Sequence, residues 1–224
     1  MDLKILETIP VYPIMGEPLD TTNTTLLDFT EANQELANVD LKITELFQEF
    51  VDGHMSGKKY GIGGYMENRQ IYKRSEVFAS GEKYRNIHLG IDIWTAAGSP
   101  VYAPLSGVVH SFQNNSGFGN YGPTIILQHR IQGQTLYSLY GHLKLSDLDI
   151  IYEGRKFAKG ELLCHLGDQE ENGNWPPHLH FQLIRDMHDA KGDFPGVCSA
   201  EDLDIYKDLC PDPNHLIRFE GLHR

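Results

Sequence analysis

The sequence predicts a mainly β fold, an antiparallel sheet or sandwich with a short helical N-terminal segment and a short C-terminal helix. Between residues 86 and 186, short runs rich in β-branched and aromatic residues recur at close spacing, separated by Gly, Asn and Pro. No run in that block sustains the three- and four-residue apolar step of a helix. Strands so close together leave no room for crossover helices, so they are expected to pair antiparallel. The 22 glycines and 11 prolines suit a chain with many tight turns.

Each element follows from local chemistry. Prolines at 10, 13 and 18 remove backbone donors, so the first dozen residues are expected to be extended. Leu36, Val39, Ile43, Leu46, Phe47 and Phe50 recur at helical spacing within residues 30–51, with Thr30 or Asn38 as the cap of one helix or of two short ones. That apolar stripe is expected to pack on the back of the β domain. Glycines from Gly53 to Gly64 break the pattern. Residues 1–60 therefore form a partly helical accessory segment, and residues 61–224 a β domain with its core at 84–186. Candidate strands cover 87–94, 100–103, 107–113, 123–131, 134–142, 162–167 and 178–185. Gln132-Gly133 reads as a tight hairpin turn. Ser199-Ala-Glu-Asp202 has the form of a capping box opening a helix that Pro211 stops.

The formal net charge of −12 argues against nucleic acid and against an anionic membrane surface as partners. Cys164, Cys198 and Cys210 are odd in number and lack zinc-finger spacing, which suits a reducing compartment. Cys164, in LLCHL, reads as a buried core residue. The N-terminus shows neither a basic stretch nor a long apolar run, and no segment reaches transmembrane length. A cytoplasmic protein is the expectation.

The chemistry lies in two separated motifs, His88-x-x-x-Asp92 in IHLGIDIW and His178-x-His180 in PPHLHFQL. Alternate side chains of a strand share a face, so each pair points one way. Gly90, between His88 and Asp92 on that face, has no side chain to obstruct the approach. Two imidazoles and a carboxylate suit a single zinc ion with one position left open. Taken alone, either motif would be an ordinary strand-end group. Together, in apolar strands where unpaired polar groups are costly, they indicate a metal site. His142, in SLYGHL, supplies a further histidine. No His-Glu-x-x-His helix provides a glutamate base, so the histidines beyond the ligand set are candidates for proton transfer.

The segments HLGIDIWTAAGSPVYAPLSGVV, YGHL and PHLHFQL resemble, in order and spacing, the lysostaphin/LytM-type zinc endopeptidases over residues 84–186. The resemblance implies a β core of the duplicated-hybrid-motif type with the site in a groove on the sheet. It implies that His88, Asp92 and His180 bind zinc, one ion per chain, and that His142 and His178 are the catalytic histidines. Such enzymes cut peptide cross-links of bacterial cell walls. Two departures stand out: the loop GDQEENGNWPP is bulkier and more acidic than in relatives, and Pro123 follows Tyr121-Gly122. The stretches GIGGYMENRQIY and FPGVCSAEDLDIYKDLCPDPN resemble a subgroup fused to a kinase-like domain and an aminotransferase in cytosolic proteins.

The expected function is zinc-dependent hydrolysis of peptide bonds, of the peptidoglycan cross-link type. The rivals are a cytosolic zinc hydrolase of a small amide or ester, and a non-catalytic module that binds peptide or glycan. Smaller expectations attach to Tyr84 and Arg85 as substrate contacts, to Trp175 as a groove wall, and to Glu67 or Asn68 as groups reaching the metal in a latent form. His54, His110, His129, His165, His188, His215 and His223 read as structural or solvated.

Overall fold

The computed structural model describes residues 3–78 and 84–222. Its strands are β1 (Thr24–Leu26), β2 (Tyr60–Gly63), β3 (Ile87–His88), β4 (Ile91–Trp94), β5 (Pro100–Tyr102), β6 (Gly107–Asn115), β7 (Gly122–Ile131), β8 (Gln134–Gly141), β9 (Lys156–Phe157), β10 (Leu162–His165), β11 (His178–Ile184) and β12 (Val197–Cys198). The helices are α1 (Lys4–Thr8), α2 (Thr44–Met55), α3 (Leu203–Leu209) and α4 (Asn214–Ile217). Eight strands form one sheet in the order β1-β2-β4-β11-β8-β7-β6-β9, with β10-β5 and β12-β3 as two-stranded companions. Apart from the parallel β1–β2 pair, the pairings are antiparallel. The mainly antiparallel β fold is as the sequence predicts. The β7–β8 hairpin turns at Gln132-Gly133, both with positive φ (47° and 82°), the conformation of a type I′ turn.

Several local expectations need correction. The first dozen residues are not wholly extended, since α1 forms before Pro10 can interrupt it. The stripe over 30–51, expected as one helix or two short ones, is divided between two elements. A 3-10 turn covers Leu36–Asn38 and α2 starts only at Thr44, with Ile43 rather than Thr30 or Asn38 at its N-terminus. The cause is local: the Asn33 side chain accepts from the Glu35 and Leu36 N–H groups, and Asp40 accepts from that of Lys42. Such short polar side chains compete with the helical ladder. A 3-10 segment at Leu145–Ile150 interrupts the block that reads as helix-free. Residues 87–94 are two strands, because β3 leaves the main sheet to pair with β12 while β4 stays in it. Ser199 caps its turn as expected, its hydroxyl accepting from Asp202 N–H.

Three apolar clusters fill the interior. The largest lies on one face of the main sheet and includes Ile62, Ile91, Ile93, Ile125, Leu127, Leu179 and Phe181. The second is aromatic and joins α2 to the sheet: Phe47 meets Phe29, Trp94 and Trp175 with ring centroids 6.0, 5.7 and 6.2 Å apart. Trp94 in turn stacks on His178 at 3.9 Å. The apolar face of α2 thus supports the wall that carries the candidate site, through one intervening ring. Cys164, Cys198 and Cys210 are unpaired and buried.

Candidate metal centre

Strand register assembles the site. In the antiparallel β4–β11 pair Asp92 stands opposite His180, and His178 stands opposite Trp94. On their outer sides Asp92 faces Gly63 of β2 and His180 faces Gly141 of β8. His88 comes from β3, and the strand break at Leu89-Gly90 brings it back over Asp92. Gly90 leaves the space expected of it, and more tightly than alternation alone requires: a Cβ there would lie 2.6 Å from Cε1 of His180.

His88 Nε2, His180 Nδ1 and Asp92 Oδ1 converge at 3.0, 3.1 and 3.2 Å from one another, all three residues buried. Their partners fix which atoms face inward. His88 Nδ1 lies 3.0 Å from the Gly64 carbonyl, to which it can only donate, so Nε2 carries the lone pair. His180 Nε2 donates to Gln182 Oε1 at 2.9 Å, because the Gln182 amide nitrogen is committed to Pro195 O, and Nδ1 of His180 keeps its lone pair. Three acceptors thus meet with no hydrogen between them, an arrangement suited to a cation. Donors about 2.0–2.1 Å from a tetrahedral zinc are separated by about 3.3 Å, close to the spacing found. The residues therefore fit one zinc ion, and the two partners that hold the rings are the outer-shell orientation such ligands need.

Asp92 has a second partner. Its Oδ2 pairs with Nη1 of Arg69, whose side chain is fully buried and whose Nε donates to Glu67 Oε2 at 2.7 Å. Burial pushes the Asp92 carboxyl up, but His88 and Arg69 outweigh it and hold the group well below the usual carboxylate range. Neither Glu67 nor Asn68 belongs to the metal-binding group: Glu67 engages Arg69, and Asn68 accepts from the Asn86 side chain. The upstream segment reaches the ligand set through Arg69, which the sequence reading passed over.

His142 and His178 lie side by side on the same wall, ring centroids 4.2 Å apart. His142 Nδ1 donates to Asn172 O at 2.8 Å and His178 Nδ1 to Pro176 O at 2.7 Å, so each keeps Nε2 as an acceptor. Burial is the main reason both are depressed, His178 to about 4 and His142 well below its ordinary value; each imidazole is neutral at pH 7. His142 sits at φ 64°, pinned by its N–H to Tyr121 O and by its carbonyl accepting from Gly167 N–H. The loop 167–177 carries both anchoring carbonyls. Asn172 ties it internally to Trp175, and the Trp175 indole N–H bonds to Asn120 O at 3.1 Å.

A cavity of about 220 Å³ opens over these groups, with Trp175 on its wall as expected and Tyr72, Phe78, Tyr121 and Phe194 also lining it. The Tyr121 hydroxyl is 3.4 Å from His180 Nε2, and burial raises it well above its ordinary value, so it stays protonated. Its position follows from Gly141 and Gly196, where a Cβ would meet the Tyr121 ring at 2.8 Å and its hydroxyl at 1.8 Å. Arg85 lines the cavity; Tyr84 is exposed and does not. His129 is structural, held between Ser106 O and Ser138 Oγ, and His223 lies outside the described residues.

The fold and donor set define a mainly β protein with a buried site fit for one metal ion. Residues 86–191 match the family model "Peptidase family M23". Peptidoglycan DD-endopeptidase ShyA of Vibrio cholerae serotype O1 is 31% identical over 116 residues, covering 50% of this chain and 24% of that protein. Two solved structures are also similar. A zinc containing peptidase from Vibrio cholerae is 25% identical over 44% of this chain and 27% of its own, with a TM-score of 0.36. The catalytic domain of lysostaphin from Staphylococcus simulans is 23% identical over 55% and 80%, with a TM-score of 0.35. The chain spans about a quarter of the length of the curated relative it matches. Among the described residues no helix is long and apolar enough to cross a membrane.

Proposed function

We propose that this chain is a zinc-dependent metallopeptidase that hydrolyses peptide amide bonds, with His88, Asp92 and His180 as zinc ligands and His142 and His178 as catalytic histidines. The observation that carries this reading is three converging acceptor atoms beside two neutral imidazoles, with Asp92, His142, His178 and His180 lining one cavity. Zinc, when bound, supplies Lewis acidity that polarises a carbonyl and eases deprotonation of water. The protein residues do the rest. One of His142 and His178 takes the proton of the attacking water on its free Nε2, and the other stabilises the oxyanion or protonates the leaving amine. Their Nδ1–H bonds to loop carbonyls hold both rings in the tautomer this needs. The Tyr121 hydroxyl, kept protonated, is a further donor beside the ligand ring.

The family and the activity named for the ShyA relative support peptide substrates, with peptidoglycan-type cross-links as the leading candidate. Three buried, unpaired cysteines favour a reducing, cytoplasmic setting. Elemental analysis and turnover test the assignment together. His88→Ala and Asp92→Ala are expected to lose zinc, whereas His142→Ala keeps it and loses roughly 10²–10⁴-fold in kcat. Full zinc occupancy in the His88 variant would contradict the ligand set.

A further inference from the structure

The cavity is shaped by residues on both sides of the M23-matching segment. Ile71, Tyr72, Val77 and Phe78 precede residue 86, and Asp193–Val197 follow residue 191. At about 220 Å³ it falls below the roughly 300–1,000 Å³ of common small-molecule pockets. A confined, aromatic-walled space of this size admits the end of a short peptide more readily than the middle of a branched polymer.

One cation is placed in it. Arg85 is the only Arg or Lys among the described residues that line the cavity, in a chain of net charge −12. Its backbone N–H is fixed to Phe78 O at 3.0 Å and its Nη2 donates to Val77 O at 2.6 Å, which anchors one edge of the guanidinium. Its Nε is buried and has no hydrogen-bond partner. A guanidinium that lines a cavity with part of its donor capacity unmet is matched by a carboxylate, the planar acceptor it pairs with best. Peptides offer that group at a free C-terminus or on an acidic side chain.

We infer that Arg85 is the receptor for a substrate carboxylate, and that the enzyme acts on short peptides carrying a free carboxylate close to the scissile amide. This rests on the hydrolase reading above, and the two are separable by experiment. The zinc-loaded protein is given N-acetylated di- and tripeptides of alanine, in L and D configurations, each as the free acid and as the C-terminal amide. Binding is measured by calorimetry with the same acids and amides in which a methyleneamine replaces the scissile amide. The free acids are expected to bind and turn over about 10- to 100-fold better than the amides, the range of one charged hydrogen-bonding contact. That preference should collapse toward one in Arg85→Gln and recover in part in Arg85→Lys.

Zinc content read in parallel separates loss of the receptor from loss of the site. The comparison within the unaltered protein needs no variant, so a poorly folding Arg85→Gln leaves the test intact. Equal binding of acids and amides overturns the inference, as does faster cleavage of intact cross-linked peptidoglycan than of any short acid. Selective binding of the uncleavable acids with no hydrolysis of any peptide would remove the hydrolase reading and leave the carboxylate receptor standing.

Discussion

Replacing Gln182 with Met tests whether ring orientation, and not only the ligand atoms, makes the metal site. Gln182 is fully buried, and its Oε1 is the acceptor that places the His180 proton on Nε2 and the lone pair on Nδ1. Its amide nitrogen donates to Pro195 O at 3.1 Å and lies 3.3 Å from Cys210 Sγ, so the amide cannot turn over without losing both. Methionine preserves most of the volume and removes the acceptor. His180 then gains nothing from the productive tautomer and is freer to rotate. Loss of such an outer-shell partner costs about 10- to 100-fold in metal affinity, or about 1.4–2.7 kcal/mol. The unmet buried donors and acceptors add a further ~1–3 kcal/mol of destabilisation to the metal-free fold.

Gln182→Glu supplies the contrast. A carboxylate accepts from His180 Nε2–H more strongly and makes the ligand ring more basic, but it abandons Pro195 O and buries a charge. It should bind zinc more tightly than Gln182→Met while its metal-free form is the least stable of the three. Zinc affinity is measured by competition with a chromophoric chelator and metal-free stability by urea unfolding. A Met variant within twofold of the parent affinity would refute the argument, as would identical affinities in the two variants.

Arg69→Met breaks a buried ion pair from one side and leaves Asp92 and Glu67 unpaired, so the metal-free protein should lose about 3–5 kcal/mol, measured by urea unfolding. Gly90→Ala should overpack the site by about 1–3 kcal/mol and displace His180, which zinc titration would read as lost occupancy. Acid should weaken the metal-free fold. Burial depresses His88 and His178 to about 4, so the unfolded chain takes up protons first; their contribution is complete above about pH 6.5 and is lost as pH falls toward 4. Each histidine contributes at most about 1.4 kcal/mol per pH unit, and urea unfolding with chelator present should show a shallower slope in His178→Gln. An unchanged slope in that variant would contradict the burial of a neutral His178.

The strands were legible because β-branched and aromatic runs between turn residues state a two-residue period directly, and the hairpin at Gln132-Gly133 follows from residues that tolerate positive φ. The even spacing of His178 and His180 likewise says that the pair shares a face, whereas His88 reaches Asp92 across the break between β3 and β4. What spacing could not say is which distant residues complete the donor set. Arg69 lies 23 residues from Asp92 in sequence and sits among ordinary polar residues; only the β2–β4 pairing, with Gly63 opposite Asp92, opens the space its guanidinium fills. Tyr121 was hidden for the same reason. A sharper reading of HLHFQL would have found Gln182, since it shares the strand face of both histidines.

Whether the stripe over residues 30–51 was one helix or two short ones was not legible, because an apolar stripe reports burial and not continuity. Asn33 and Asp40 divert neighbouring N–H groups into local turns, so the same apolar residues are buried by two elements instead of one.

Three glycines surround the ligand set, and none has a positive φ, so space rather than backbone freedom explains them. A Cβ at Gly63 would lie 2.6 Å from Nη2 of Arg69, one at Gly90 2.6 Å from the His180 ring, and one at Gly141 2.8 Å from the Tyr121 ring. Each gap is filled by a side chain that either belongs to the proposed ligand set or contacts it. Strands β2 and β8 and the break between β3 and β4 thus give up packing volume where polar groups must meet, and the apolar clusters behind them carry the stability. That exchange explains how the ligand atoms can be buried together: the sheet supplies the room, neighbouring groups fix each imidazole tautomer, and the charge of a cation suits the arrangement.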